Sequence, residues 1–256
     1  MIPKIIHYCW FGRNPLPKTA EKCIRSWKKC CPDYEIIRWD ESNFDVNCNE
    51  YCREMYEQEK WAFLTDYVRL RVVYENGGIY LDTDVEVIKP LDDLLHNSAY
   101  MGLETTDKVN TGLGFGAERN HWFIGENMNY YEKWKSSDPV ETCPIITTRL
   151  LESKGLIYNH LNVNHLNVNH LNGVTVYPTE YFCAKNSHTG EVCITKKTYT
   201  IHHFDASWQT KSERTKTLNR WHDYKIERQR KIPKRIIRKL LGNDKTELLK
   251  RIFRIK

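Results

Sequence analysis

The chain has 256 residues, of which 40% are hydrophobic and 12% aromatic, so it can bury a full core and is not an intrinsically disordered segment. Its 39 Lys and Arg against 33 Asp and Glu give a formal charge of +6, and no window approaches the roughly 18 apolar residues of a membrane-spanning helix. Residues 1–10 lack the basic-then-apolar order of a secretory signal, so the nine cysteines are expected to be reduced thiols of a cytoplasmic protein. Cys48 and Cys52 stand four apart, but no second Cys or His pair with finger-like spacing follows, which argues against a zinc site.

In chain order, residues 2–10 read as a buried strand that ends at Phe11-Gly12. Ala20, Cys23, Ile24 and Trp27 then recur at helical spacing. Residues 34–39 form a second strand, and this strand–helix–strand order predicts a βαβ unit with parallel neighbours. A helix is expected near residues 49–59. Another spans the apolar run holding Ala62, Phe63, Leu64, Val68, Val72 and Val73, ended by Asn76-Gly77-Gly78. On that helix Thr65, Asp66 and Arg69 share one face. Next comes a strand through Ile79-Tyr80-Leu81 into Asp82-Thr83-Asp84. If the chain stays extended there, Tyr80, Asp82 and Asp84 point the same way.

Residues 85–90 continue extended to Pro90, and residues 100–103 read as a strand. The stretch 110–117 is glycine-rich and apolar, but it has neither the P-loop ending nor the dinucleotide fingerprint spacing. Helices are expected over 122–134 and from Cys143-Pro144 to about Lys154. The pentad Asn-His-Leu-Asn-Val recurs within 159–172, and its three His do not share a helical face, so it reads as a solvent-facing loop or hairpin. Strand-like stretches follow at 174–178 and 198–208.

Charge is unevenly distributed. Residues 211–256 carry 17 Lys and Arg against 5 Asp and Glu, whereas the first 210 residues hold 22 against 28. Ile232, Ile236, Ile237, Leu240 and Leu241 fall on one helical face, with basic residues elsewhere. That pattern suits peripheral contact of 232–256 with an anionic membrane surface, or packing on the rest of the chain with a solvated basic face. No nucleic-acid motif accompanies the charge. The expected organisation is a catalytic domain over 1–210 and a basic amphipathic helical extension over 211–256.

Two carboxylates at the C-terminal end of a strand suit Mg²⁺ or Mn²⁺ bound together with a phosphate. Taken together, the opening strand 2–10, the Thr65-Asp66-Tyr67-Val68-Arg69 helix and the Gly77-to-Asp84 segment resemble the DXD-containing sugar transferases of glycosyltransferase family 32. That group includes initiating mannosyltransferases and capsule or lipopolysaccharide transferases. The chain is similar, more distantly, to the glucosyltransferase domains of large clostridial toxins. The resemblance implies a GT-A type α/β fold and a nucleotide-sugar donor, with UDP-sugar ahead of GDP-sugar. It further implies Mn²⁺ or Mg²⁺, retention of anomeric configuration, and a glycan acceptor that includes lipid-linked forms. It implies that Trp10, with His7 on the same strand, lies beside the base. Asp66 and Arg69 engage the donor sugar and diphosphate, Tyr80 and Asp82 contact ribose and sugar, and Asp84 binds the metal with Asp82 in support. Asp205, Ser207 and Trp208 resemble a closing segment for metal and diphosphate, with His203 or His202 as an imidazole ligand, and Asn110 is a donor contact. A metal-dependent phosphatase or nucleotidyltransferase would use the same carboxylates, and a non-catalytic adaptor would use the basic tail.

Overall fold

The computed structural model describes residues 1–155, 168–205 and 211–231. Two compact units emerge, one of Met1–Asn186 with Val192–Trp208, the other of Ser187–Glu191 with Gln209–Lys256. The first unit opens with β1 (Ile5–Cys9), α1 (Lys18–Cys30) and β2 (Glu35–Trp39), and β1 and β2 pair in parallel as the βαβ reading expects. Next come α2 (Glu50–Glu57), α3 (Trp61–Asn76), β3 (Gly78–Tyr80), β4 (Val85–Val87), β5 (Ala99–Thr105), β6 (Lys108–Val109) and β7 (Phe115–Ala117). The unit closes with α4 (Trp122–Lys133), α5 (Cys143–Ser153), β8 (Asn169–Leu171), β9 (Val174–Tyr177), α6 (Thr179–Phe182) and β10 (Thr200–His202).

One mixed sheet runs β2-β1-β3-β7-β5-β9-β8, with β6 on β5, while β10 and β4 form a separate antiparallel pair. The α/β class expected from the sequence holds. Strand alternation sends successive side chains to opposite faces and so divides the core in two. Cys9, Tyr80, Met101, Phe115 and Val176 join the cluster under α2, α3, α4 and α5. Ile6, Tyr8, Ile79 and Tyr100 join the cluster that contains Cys23 and Trp27 of α1.

Two glycines set the route from α3 into β3. Gly77 has φ +68 and Gly78 φ +104, a backbone region that strains L side chains. A Cβ at Gly78 would also lie 2.8 Å from Ile5 O and 3.0 Å from His7 Nε2. The chain leaves β3 under equally tight control. Leu81 N–H donates to His7 O at 3.0 Å, and from α1 the Trp27 indole N–H donates to Val85 O at 2.7 Å. Ser26 Oγ accepts from Val87 N–H at 2.9 Å. The residues between these anchors, 82–84, are held at both ends.

Several expectations change. The segment 82–84 turns rather than continuing extended, with Val85 N–H donating to Asp82 O at 3.0 Å. The strand expected over 198–208 ends at His202, because Phe204 takes φ +57. Short elements such as β6, α6 and the 3-10 turn Asp92–His96 carry too few residues to show periodicity. In the second unit α7 (Lys211–Lys231) is a 21-residue helix whose Trp221 indole donates to Ser187 O at 3.0 Å. Its sequence is polar on nearly every side, so it carries no continuous apolar stripe. The amphipathic pattern of 232–256 and most of the Asn-His-Leu-Asn repeat lie outside the described residues.

His7 yields a pH prediction. It is fully buried, accepts from the Trp39 indole N–H at Nδ1 (3.1 Å), and faces Gly77 O through Nε2 at 2.8 Å. Burial lowers its pKa from 6.5 to about 4, so between those values the unfolded chain binds the extra proton. Its contribution to stability is complete above about 6.5 and is lost as pH falls towards 4, on the order of 3 kcal/mol. Urea unfolding at pH 7.0 and at about pH 4.5 tests this, with His7→Gln expected to show a shallower pH dependence than wild type. Parallel profiles would remove His7 as the cause.

Candidate active site

The site starts from a buried cation. Arg69, on α3, is only 4% exposed. One of its terminal nitrogens, Nη2, lies 3.2 Å from Asp66 Oδ1 and 3.2 Å from Asp82 Oδ1. Helical spacing explains the first contact, since residues three apart face the same way. The second crosses from helix to strand end. Arg69 Nε donates to Thr65 O at 3.0 Å and Nη2 to Thr65 Oγ1 at 3.2 Å, while the Tyr80 ring lies 5.0 Å from the guanidinium carbon. Burial pushes the Asp66 carboxyl up to about 6 against the pull of Arg69. It raises Asp82 as well, again opposed by Arg69.

Asp82 is fixed from a third side by Tyr80, whose hydroxyl donates to Oδ1 at 2.9 Å. Two residues on, Asp84 is clasped by the segment that follows β10. His202 Nε2 lies 3.2 Å from Asp84 Oδ1, Asp205 N–H donates to Oδ2 at 2.9 Å, and His203 N–H donates to the Asp84 carbonyl at 2.9 Å. Burial works against the Asp84 charge, but His202 and these donors overcome it and hold the carboxyl at about 2. The result is a three-residue group, Asp82, Asp84 and His202, with one ligand atom of each within 4.8 Å of the others. Among the described residues, His202 Nδ1 is buried with no hydrogen-bond partner.

A glycine makes room for this group. Were Gly112 to carry a Cβ, it would stand 2.5 Å from Asp82 Oδ2 and 3.2 Å from Arg69 Nη1. Asn110 caps the turn Thr111–Leu113, its Oδ1 accepting from Gly112 N–H at 2.6 Å. Cys143, at the start of α5, donates its thiol hydrogen to the same Oδ1 at 3.4 Å.

The structure thus gathers Asp66, Arg69, Tyr80, Asp82 and Asp84, as the sequence reading expects them to gather. The imidazole beside the carboxylates is that of His202. His203, expected in the metal set, lies just beyond the end of β10 and turns its Nε2 to Glu86 Oε2 at 2.8 Å. Asp205 meets Asp84 through its backbone and stands outside the three-residue group. His7 is buried with both ring nitrogens facing protein partners, so it has no free edge for a ligand. Trp10 is half-buried and donates its indole N–H to Asn14 O at 2.6 Å. Ser207 and Trp208 lie outside the described residues. The sequence reading names none of Gly112, Cys143 and Glu104 as site residues, since only tertiary packing brings Gly112 to Asp82 and sets Cys143 and Glu104 against Asn110. A glycine following an Asx-type asparagine was the one available signal.

Residues 17–101, which include α3 and the carboxylate turn, match the family model described as the glycosyltransferase sugar-binding region containing a DXD motif. The resemblance to the DXD sugar transferases holds. Inositol phosphoceramide mannosyltransferase 3 of Schizosaccharomyces pombe is 33% identical over 130 residues, covering 48% of this chain and 35% of that protein. Subversion of eukaryotic traffic protein A of Legionella pneumophila is 25% identical over 122 residues, covering 37% of this chain and 19% of that one. The chain therefore spans well under half the length of these curated relatives. A solved glycosyltransferase involved in glycosylation of the major capsid of the virus PBCV-1 covers 85% of this chain and 100% of its own, at 15% identity and a TM-score of 0.47.

Three substitutions test the packing of the DXD site. Arg69→Met leaves Asp66 and Asp82 facing each other without their cation and is expected to cost about 3–5 kcal/mol. Adding Asp66→Asn should restore part of that loss. A single variant within 1 kcal/mol of wild type in urea unfolding would show that the cluster does not depend on Arg69. Gly112→Ala is expected to cost about 1–3 kcal/mol by overpacking, read as a lower unfolding midpoint at unchanged slope.

Proposed function

We propose that this protein is a metal-dependent GT-A type glycosyltransferase that moves a sugar from a nucleotide-sugar donor to a growing surface glycan. The observation that carries the reading is the joining of the Asp82–Asp84–His202 group to the buried Asp66–Arg69 pair through Asp82. Two carboxylates and an imidazole fit Mn²⁺ or Mg²⁺, and among the described residues His202 Nδ1 has no hydrogen-bond partner that would fix the ring elsewhere. A divalent cation bound there supplies positive charge to the diphosphate of the donor as it becomes the leaving group.

The chain's own residues divide the remaining work. Arg69, fixed by two carboxylates and Thr65, adds a cation whose position costs no reorganisation when the leaving group departs. Asp66 orients the donor sugar, Tyr80 holds Asp82 in place, and Trp10 lies beside the base. No enzymic nucleophile is invoked. The acceptor hydroxyl attacks on the leaving-group face, with retention of configuration. UDP-sugars are the first donors in this proposal. GDP-mannose stands beside them because several relatives are named mannosyltransferases.

We extend the proposal to the division of the chain into a catalytic domain, 1–210, and a basic extension, 211–256, that meets an anionic membrane surface from the cytoplasmic side through 232–256. No described helix is long and apolar enough to cross a membrane. The described part of the extension, α7, exposes Arg214, Lys216, Arg220, Lys225 and Arg228, which suits a charged surface. Deleting 232–256 should abolish sedimentation with phosphatidylserine vesicles while nucleotide-sugar hydrolysis persists. Undiminished sedimentation would refute the anchor.

The transferase reading is tested by incubating the protein with UDP- and GDP-sugars and Mn²⁺ and following nucleoside diphosphate release. No turnover together with no Mn²⁺-dependent nucleotide binding would sink it. Asp84→Asn is expected to abolish that binding, and His202→Ala to weaken it about 10–100-fold. His203→Ala should change it by less than about threefold, since His203 meets Asp84 through its backbone. A larger loss from His203→Ala than from His202→Ala would overturn the assignment of the imidazole.

A further inference from the structure

One carboxylate beside the site has no role in the mechanism above. Glu104, near the C-terminal end of β5, is half-buried, and its Oε2 accepts a hydrogen bond from Asn110 Nδ2. Asn110 is itself immobilised, because its Oδ1 already takes Gly112 N–H and the Cys143 thiol. Gly112 in turn lies against Asp82 Oδ2 and Arg69 Nη1. Glu104 is therefore joined to the Asp82–Arg69 contact through one fixed side chain and one glycine.

The chemistry of this carboxylate restricts what it can bind. Among the described residues it accepts from Asn110, no lysine or arginine is paired with it, and it stands outside the Asp82–Asp84–His202 group. An unneutralised carboxylate repels a diphosphate, so the phosphates belong with Arg69 and a cation at the other acids. An ionised carboxylate only accepts hydrogen bonds, and one oxygen of Glu104 remains open. The ligand groups that suit it are neutral O–H donors next to the donor phosphates, which on a nucleotide sugar are the sugar hydroxyls.

We propose that Glu104, oriented by Asn110, binds hydroxyl groups of the donor sugar and thereby selects the sugar rather than the nucleotide. The proposal rests on the nucleotide-sugar reading of the site. It makes Asn110 a positioning residue that acts through Glu104. Losing a hydrogen bond to a charged group corresponds to roughly tenfold in affinity.

Calorimetric titration in saturating Mn²⁺ separates the possibilities. The probes are UDP, GDP, UDP-glucose, UDP-galactose, UDP-N-acetylglucosamine and GDP-mannose, titrated into wild type, Glu104→Ala and the near-isosteric Glu104→Gln. For the nucleotide sugar that wild type prefers, Glu104→Ala should bind roughly tenfold more weakly, with affinity for the matching diphosphate kept within about twofold. Glu104→Gln, which keeps the shape and one acceptor oxygen, should fall between. Should the alanine variant fail to fold, the glutamine variant carries the same comparison. Equal losses for sugar nucleotide and diphosphate would reduce Glu104 to a brace for Asn110 and overturn the proposal, as would no loss in either variant. A wild type that binds neither diphosphates nor nucleotide sugars would instead remove the nucleotide-sugar reading, and this proposal with it.

Discussion

The site depends on a guanidinium that has been taken out of water. Desolvating Arg69 carries a large cost, recovered only if its hydrogens are matched by well-placed acceptors. The chain provides those acceptors from several separate places. Thr65 and Asp66 come from the same helix, Asp82 from the end of β3, and Thr111 Oγ1 from the turn after β6, 3.5 Å from Nη1. Because one cation needs all of them, α3, the carboxylate turn and the glycine-rich segment cannot move independently. The two halves of the proposed donor site are thereby held in register before any ligand arrives, which is the arrangement electrostatic catalysis requires.

The second constraint is steric. Between β3 and β4 the chain must bring Asp82 back to Arg69 and yet aim Asp84 at His202. It does so by turning immediately after Leu81, with His7 O and the Trp27 indole fixing either end of the turn. Gly112 lets the neighbouring backbone come within a distance that no side chain allows. Cys143 stands at the start of α5, and its buried thiol meets Asn110 and Arg69. A cysteine there keeps a small volume while adding a weak donor, so the local backbone retains its helical start with Pro144 in the first turn.

Those two constraints explain what the sequence could and could not reveal. The apolar run of α3 and the Gly77-Gly78 break mark a helix and its end through local chemistry, and the parallel β1–β2 pair follows from strand–helix–strand order. Asp66, Arg69, Asp82 and Asp84 were legible because they lie within 19 residues of one another in elements with strong local signals. His202 against His203 was not legible. His202 closes β10 and meets Asp84, whereas His203 follows it and meets Glu86, and the placement of both is set by pairing with β4, more than a hundred residues away. Glu104, Gly112 and Cys143 fail to stand out for the same reason, because each acquires its meaning from a partner distant in sequence. The helix α7 lacks a periodic apolar signal of its own, and the helical extension expected there rests on the apolar face of 232–256 and on the charge of the tail instead.

The two DXD carboxylates also differ in kind, although the motif writes them alike. Asp84 has His202 and the backbone N–H of Asp205 for partners and is held ionised to about pH 2. Burial raises Asp82, which shares Arg69 with Asp66. A cation brought to this pair would find one carboxylate already fully charged and another whose charge is partly committed to Arg69. In the proposed mechanism Asp84 supplies the anchoring charge, and Asp82 links it to Arg69 and through Arg69 to Asp66.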